Sequence, residues 1–403
     1  MAMALLVYLP CLNGPLLWDD KDWFGAMEWN LRGWQGLWRL WTVPESIQQY
    51  YPVTAMSFWI DHHLWGGWTL PAHLENVLIH GASAVLFWML LKRLQIRGAW
   101  LAAAFFAVHP VMVESVAWIT ERKNVLCTFF ALAALLAHGK AAGWWESKAG
   151  HGKVFAELLA VMLVVIALLS KVSAAVLPGV VMVIGWWRSG TLRWRADGLR
   201  VLPWIVLSMP IIWLTSLMEQ AQVVGGDWMP ALPLSDRLLL AGQLPWFYLC
   251  KLLWPAQLCV LYEKWALAGW QWLGLIMLIA MLALLVWRRW HGALALALLF
   301  IGTLFPLLGF FEVNGMKYAW AADRWAYLPA MAVCVGAAFW LVKLPRGFAA
   351  VLLIACGILT WRQAALYASV DGFWQATVAG NPAPWKAHND YGSQLMDENR
   401  YAE

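Results

Sequence analysis

A polar block at residues 109–124 lies between two apolar runs, at 100–108 and 125–137. Its charged side chains are Glu114, Glu121, Arg122 and Lys123. They fall where a membrane helix would meet water, and ionisable groups at membrane depth are costly enough to indicate a functional site. The block is therefore the first candidate for chemistry.

If a helix continues through this block, Glu114, Trp118 and Arg122 share one face, because residues four apart are neighbours on a helix. Arg122 and Lys123 would then lie at the outer interface, where both can bind a phosphate by charge and directed hydrogen bonds. The alternative is a helix end at which Glu121 and Lys123 face solvent.

Two adjacent carboxylates, Asp19 and Asp20, directly follow the first apolar run. Carboxylates at the mouth of a membrane cavity suit a general base, because partial desolvation raises the pKa toward working pH. The alternative is a solvated loop just outside a span.

Three more charged residues lie at the ends of apolar runs. Lys171 stands alone between two of them, so its ammonium either binds an anion such as phosphate or extends to the lipid headgroups. Asp323 and Arg324 precede another apolar run, where they either line a site or form a local ion pair.

Several other chemistries are not predicted. The spacing of the histidines does not match a zinc site, and the chain has no P-loop, dinucleotide fingerprint or nucleophile-elbow motif. Six scattered cysteines without a C-x-x-C pair are predicted to be free thiols, with Cys250 and Cys259 as a pair that a folded-back segment would bring together. The histidines considered are His62, His63, His73 and His80.

The composition is that of a polytopic membrane protein. Of 403 residues 62% are hydrophobic and 13% charged, and the mean hydropathy is +0.62, whereas soluble domains are roughly half apolar and a quarter charged. Apolar runs of membrane-spanning length predict an all-α bundle of eleven helices. The predicted spans are 2–12, 74–91, 98–117, 124–139, 154–170, 172–187, 201–218, 266–287, 292–310, 326–343 and 347–365. The first begins almost at Met1 without a basic region or a cleavage site, which favours a retained span over a signal peptide, and an upstream start codon is compatible with it.

Lysine and arginine are concentrated in alternate short loops, which places those loops in the cytoplasm. The basic loops are 92–97, 140–153, 188–200, 288–289 and 343–346. They account for the net charge of +5, so no nucleic-acid partner is predicted. The outer side then holds the segments 13–71, 118–123, 219–265, 311–325 and 366–403.

Two outer segments have a predicted internal structure. Within 13–71, apolar residues recur with helical spacing and predict an amphipathic helix in the outer interface or packed on other loops. Those residues are Met27, Leu31, Trp34, Trp38 and Trp41. The segment 219–265 is predicted to be re-entrant or interfacial, because Pro245 and Pro255 interrupt it.

Six ordered blocks resemble the membrane portion of the transmembrane and tetratricopeptide repeat (TMTC-like) O-mannosyltransferases and their bacterial relatives. The blocks are WDD (18–20), PVT (52–54) with SF (57–58), HL (73–74) with NV (76–77) and His80, HPVMVESVAWI (109–119) with RKN (122–124), LLSK (168–171) with LP (177–178), and ADRWAYLP (322–329). The likeness extends over nearly the whole chain. It implies a GT-C glycosyltransferase fold at 1–370, in the inner (cytoplasmic) membrane, with the active-site loops and the C-terminus on the periplasmic side.

The resemblance also implies an activity and a set of site residues. Such proteins transfer a sugar from a polyprenyl-phosphate carrier to a protein hydroxyl, with inversion. No cofactor is implied, because the lipid-linked sugar is a substrate. Asp19 or Asp20 matches the acidic motif of the first loop and would act as base. The candidate substrate- and phosphate-binding residues are Arg122, Lys123, Lys171, Asp323, Arg324, Glu114 and His109.

Two features leave other functions open. Residues 381–403 resemble the start of a tetratricopeptide repeat helix that is truncated, has lost its further repeats, or is capped by a partner. The family commonly has Tyr-Arg-Pro where this chain has Tyr50-Tyr51-Pro52, so a positive charge is missing. The alternatives are a degenerate GT-C-like structural subunit of a membrane assembly, with partner subunits in place of an acceptor, and a transporter.

Overall fold

The computed structural model describes residues 1–29, 31–145, 152–224, 232–311, 313–381, 385–397 and 400, and within them the chain is helical without a strand. The helices are α1 (Ala2–Tyr8), α2 (Ala26–Trp29), α3 (Gly33–Thr42), α4 (Pro52–Trp65), α5 (Thr69–Arg93), α6 (Ala99–Val108), α7 (Val113–Ala117), α8 (Arg122–Ala141), α9 (Gly152–Ser170), α10 (Leu177–Ser189), α11 (Leu199–Val224), α12 (Leu234–Leu253), α13 (Trp272–Trp287), α14 (His291–Leu304), α15 (Ala330–Leu341), α16 (Arg346–Ala365), α17 (Val370–Gly380) and α18 (Trp385–Asp397). The predicted all-α class is confirmed.

Each predicted span falls on an apolar helix. Among the described residues, seven helices are long and apolar enough to cross a membrane, and one further pair, α6 with 110–117, is bent by 53°. Three more are shorter, at Ala2–Cys11, His291–Leu307 and Ala330–Leu341. The chain is therefore a multi-pass membrane protein.

The apolar pattern of each helix decides where it packs. Residues 101–108 of α6 are all buried, because this helix is apolar on every side and packs against α5, α15 and α16. In contrast, α16 leaves Phe348, Val351 and Ile354 exposed, as expected of a helix that faces lipid. The polar block thus begins at the end of a largely buried helix.

The polar block is not one continuous helix. His109 is extended (ψ 129°) before Pro110, which lacks the N–H that a continuing helix would need, and the His109 side chain accepts a hydrogen bond from Val111 N. A second extended residue, Trp118 (ψ 122°), ends α7. The prediction that Glu114 and Arg122 share a face is therefore wrong: the break turns them in different directions.

The first outer segment forms its own small core. Met27 and Leu31 are buried there with Phe24 and Phe58. Gly33 (φ +71°) begins a separate helix, whose Trp34 is largely exposed. The predicted single amphipathic helix is thus two helices, and its predicted apolar row does not lie on one face.

The segment predicted to be re-entrant contains the regular helix α12. Pro245 lies inside it without interrupting it, and Pro255 follows its end. The helix packs on α13, where Trp246 Nε1 donates to Gly274 O at 2.9 Å. Proline is accommodated because α13 supplies neighbouring contacts.

The C-terminal segment is a pair of helices rather than a single one. Gln375 Nε2 in α17 donates to Tyr391 Oη in α18 at 3.2 Å, and Arg400 forms an ion pair with Asp371 at 2.9 Å. Of the predicted repeat helix at 381–403, residues 382–384, 398–399 and 401–403 lie outside the described residues. α18 therefore has α17 as a helix to pack against.

Replacing Gly242 by alanine should destabilise the bundle by about 1–3 kcal/mol, since overpacking strains the interface. An added Cβ would meet the Leu275 backbone at 2.6 Å, and backbone cannot move aside as a flexible side chain can. Gly347→Ala is the control, because no heavy atom lies within 4 Å of its Cβ position. The midpoint of thermal unfolding in detergent should fall for Gly242→Ala and not for Gly347→Ala. Equal midpoints for the two variants would contradict the packing of α12 on α13.

Candidate active site

A cavity of about 1070 Å³ opens where the first outer segment meets the polar block. One wall is polar and includes Asp19, Glu121 and Lys123. The opposite wall is an apolar groove between α10, α11 and α14, which we call the α10–α14 groove. It is lined by Val176, Val180, Val183, Ile212, Leu298, Leu299, Ile301 and Phe305. The cavity therefore joins a charged chamber to an apolar channel.

Glu121 is the centre of the charged chamber. Its side chain is 3% exposed, and three cations surround it. Lys123 Nζ lies 3.1 Å from Oε1, Lys171 Nζ lies 3.4 Å from Oε2, and Arg324 Nε lies 3.6 Å from Oε1. Buried charges need such pairing, so one carboxylate holds together cations from three distant parts of the chain.

Asn124 fixes the position of Glu121. Its amide nitrogen lies 2.6 Å from Glu121 Oε2, 3.0 Å from Ser115 Oγ and 3.2 Å from Arg324 O. Its amide oxygen accepts from Lys171 Nζ at 2.7 Å. A single side chain thus sets the geometry of the carboxylate and of one cation.

Glu114 holds Arg324 from the other side. Its carboxylate accepts from the Arg324 backbone N at 2.8 Å and from the Arg324 guanidinium. Glu114 is not part of the cavity wall, whereas Arg324 is. Through these contacts Glu114 positions Arg324.

The two adjacent aspartates have different surroundings. Asp20 is fully buried and accepts from Leu17 N and Thr120 N, each at 2.8 Å, and from Thr120 Oγ1. It therefore ties the polar block to the first outer segment. Asp19 lies on the cavity wall, and its buried Oδ1 has no hydrogen-bond partner.

Burial raises the pKa of both carboxyl groups. For Asp19 the nearby Lys123 ammonium opposes that rise. For Asp20 burial and the charge of Asp19 raise the pKa to about 7, while the hydrogen bonds from Thr120 and Leu17 lower it. A carboxyl group of raised pKa on a cavity wall, with one oxygen that has no hydrogen-bond partner, is a suitable proton acceptor.

The backbone that carries Asp19 is strained. Trp18 has φ +41°, which is uncommon for a bulky residue, and its ring stacks on Trp118 at 5.5 Å. Both rings line the cavity. The stack holds the turn that directs Asp19.

Besides Asp20 and Glu114, three further predicted site residues do not line the cavity. Arg122 is fully buried and donates to Asp61 Oδ2 (2.6 Å), Asn76 Oδ1 (2.8 Å) and Ala72 O (2.9 Å). The expectation that Arg122 lies at the outer interface is therefore wrong, and its guanidinium joins α8 to α4 and α5. His109 Nε2 pairs with Leu252 O at 2.9 Å.

Asp323 is the third of these residues. It accepts from Tyr262 Oη at 2.8 Å, and burial, with a further contribution from Glu114, raises the pKa of Asp323 well above its usual range. It faces away from the cavity that its neighbour Arg324 lines. Asp323 therefore stabilises the turn at 323–326 through its hydrogen bond with Tyr262.

The cavity also includes residues that sequence reasoning missed as site residues. Glu121 was counted among the charges of the polar block but was not assigned a role in the site, although its position one residue before Arg122-Lys123 in an apolar setting was a usable signal. Tyr51, where the resemblance predicts arginine, lies on the wall and stacks on Trp23. In the part of the chain described, no group of three or more His, Cys, Asp or Glu could hold a metal ion.

Comparison with known proteins supports the resemblance. No family model matches the chain. It is 33% identical over 157 residues to the protein O-mannosyl-transferase F38B6.6 of Caenorhabditis elegans (35% of this chain, 22% of that protein). It is 34% identical over 142 residues to human protein O-mannosyl-transferase TMTC4 (31% and 19%) and 34% over 152 residues to tmtc2 of Xenopus laevis (34% and 18%).

Two solved structures overlay on most of the chain. ArnT from Cupriavidus metallidurans in the apo state gives a TM-score of 0.46 at 15% identity (98% of this chain, 78% of that chain). The Archaeoglobus fulgidus oligosaccharyltransferase in the apo form gives 0.43 at 12% identity (90% and 56%).

The fold and the cavity define a multi-pass membrane protein with a charged site in an open cavity. Its curated relatives are O-mannosyltransferases, so the resemblance to the TMTC-like family is confirmed over about a third of the chain. The chain spans about a fifth of the length of these relatives.

Arg122→Ala should cost about 3–5 kcal/mol of stability, because it leaves the Asp61 carboxylate buried without its partner. The Asp61→Ala change should cost less, because Glu75 Oε2 lies 3.2 Å from Arg122 Nη1 and still pairs with the guanidinium, and the double variant should lose less than the sum of the two. The stability of each variant is measured by thermal unfolding of the purified protein. Arg346→Ala, at an exposed position, is the control. Additive losses would show that the pair is not coupled.

Proposed function

We propose that this chain transfers a sugar from a polyprenyl-phosphate carrier to a protein hydroxyl on the outer face of the membrane. One observation carries the proposal: a single cavity joins the unpaired Asp19 oxygen, a cation cluster and an apolar groove. A base, a phosphate site and a lipid channel are the three parts that such a reaction needs. The names of the curated relatives make mannose the first sugar to test.

The donor phosphate would lie against Lys123 and Lys171. Each ammonium has three donors. Lys123 gives one to Glu121, and Lys171 gives one to Glu121 and one to Asn124. Both therefore keep a donor for a phosphate oxygen, and the prenyl chain would follow the α10–α14 groove.

The groove has the polarity for the first units of a prenyl chain. Its lining at the start of α10 runs from Val176 to Val183, which is about 10 Å at the rise of an α-helix. The wall there is mostly branched aliphatic. A phosphate at Lys171 would therefore place the first prenyl units directly beside apolar side chains.

The chemistry is a direct displacement. Asp19 takes the proton of the acceptor hydroxyl while the hydroxyl oxygen attacks the anomeric carbon. The bond from that carbon to the phosphate oxygen breaks, and its electron pair stays on the phosphate. Lys123 and Lys171 then face the oxygen on which charge develops, which lowers the barrier, and a single displacement inverts the anomeric carbon.

The helix directions support an outward-facing cavity. α8 begins at Arg122, with Lys123 at the cavity, and runs 20 residues, about 30 Å, to the basic loop that starts at Lys140. α9 returns from that loop to Lys171. Because short basic loops are cytoplasmic, the cavity would open on the opposite side.

Tyr51 favours the second candidate function, a non-catalytic structural subunit. The residue replaces the family's arginine and lies on the cavity wall. Turnover of a polyprenyl-phosphate sugar by the purified chain alone would exclude this alternative.

Asp19→Asn should lower the rate of sugar transfer by about 100-fold or more, because an amide cannot accept the proton. Its melting midpoint should be unchanged or higher, since the substitution removes the negative charge from a side chain whose buried Oδ1 has no hydrogen-bond partner. Asp20→Asn is the matched comparison. It should lose about 1–3 kcal/mol of stability, because an NH₂ group replaces an acceptor of the Thr120 donors. Undiminished transfer by Asp19→Asn would refute the assignment of the base.

The pH profile should show the raised pKa of Asp19. Because the base works only when ionised, kcat/KM should fall as pH falls through that pKa, with a midpoint above the ordinary aspartate range. The residual kcat/KM of Asp19→Asn should not show this fall at low pH. A midpoint within the ordinary range would show that burial does not affect the base.

A further inference from the structure

We propose that Glu121 determines which phosphate ester the cavity holds: its charge favours a singly charged phosphodiester donor over the more highly charged phosphomonoester product. The inference rests on the proposed function and deepens it. Glu121 would thereby help the spent carrier to leave.

Glu121 lies on the wall of the charged chamber, among the cations that would bind the phosphate. Its carboxylate is almost completely shielded from solvent, so water and salt screen its charge weakly. It contacts Lys123 and Lys171 directly. Any anion bound by those two ammonium groups therefore experiences the negative charge of Glu121.

The carboxylate stays in place when an anion binds. Asn124 holds Glu121 Oε2 at 2.6 Å, and Arg324 Nε lies 3.6 Å from Oε1 on another side. Lys123 and Lys171 each keep a donor that Glu121 does not use. Bound phosphate and Glu121 can thus share the ammonium groups, and Glu121 acts as a fixed charge instead of a competitor that is displaced.

A fixed charge acts on a ligand in proportion to the charge of that ligand. A phosphodiester donor carries one negative charge, whereas a phosphomonoester carries about 1.5 to 2 near pH 7 because its second pKa is about 6. Glu121 therefore weakens the binding of the monoester more than that of the diester. Removing its charge should change the logarithm of the monoester dissociation constant nearly twice as much.

The test compares wild type with Glu121→Gln, which keeps the shape of the side chain and removes its charge. The probes are farnesyl phosphate and its methyl ester, titrated by calorimetry at pH 8, where the monoester is fully charged. Because neither probe carries a sugar, the measurement does not depend on the donor's identity. Glu157→Gln is the control, since Glu157 is a partly exposed carboxylate in α9, paired with His138 and away from the cavity.

Glu121→Gln should bind the methyl ester on the order of tenfold more tightly and the monoester on the order of a hundredfold more tightly. Glu157→Gln should match wild type for both. Equal shifts for the two probes, or no shift, would overturn the inference and leave the proposed function standing. If wild type binds neither probe, the proposed function fails and this inference fails with it.

Discussion

The buried carboxylate of Glu121 is the interaction on which the cavity depends. Lys123, Lys171 and Arg324 come from three separate parts of the chain, and without a shared anion their charges would repel one another in a site with little water. Glu121 makes their proximity stable, and Asn124 fixes its orientation. In the proposed function, the same arrangement supplies positive groups for a phosphate and a negative charge that limits how tightly the phosphate is held.

A second set of buried contacts supports the polar block from the opposite side. Arg122 binds Asp61, and Asp20 binds Thr120, so the first outer segment is fixed to the start of α8 at two points. These contacts occupy the polar groups that face away from the cavity. Asp19 is the neighbour left on the cavity wall, close to the ammonium of Lys123 that opposes the rise of its pKa. In each of these two neighbouring pairs, one residue forms buried contacts and the other lines the cavity. Asp20 and Arg122 form the contacts, whereas Asp19 and Lys123 lie on the cavity wall.

This difference between neighbouring residues explains what the sequence could and could not predict. Apolar runs and basic loops predicted the helical class and placed Asp19, Lys123, Lys171 and Arg324 at one end of the bundle. They could not separate Asp19 from Asp20, or Lys123 from Arg122, because the direction of each side chain depends on the backbone breaks around them. The extended residue Trp118 redirects Arg122 toward Asp61, and no periodic pattern marks it. Glu121 was missed for the same reason, since its three partners are brought together only by the fold.

The most direct measurement is a structure of the purified chain with undecaprenyl phosphate, determined by electron cryomicroscopy in a lipid nanodisc. The account predicts density for the phosphate within hydrogen-bonding distance of Lys123 and Lys171, with the prenyl chain along the α10–α14 groove and Asp19 facing the open space beside the phosphate. A phosphate bound elsewhere, or a cavity that stays empty at saturating lipid, would contradict it.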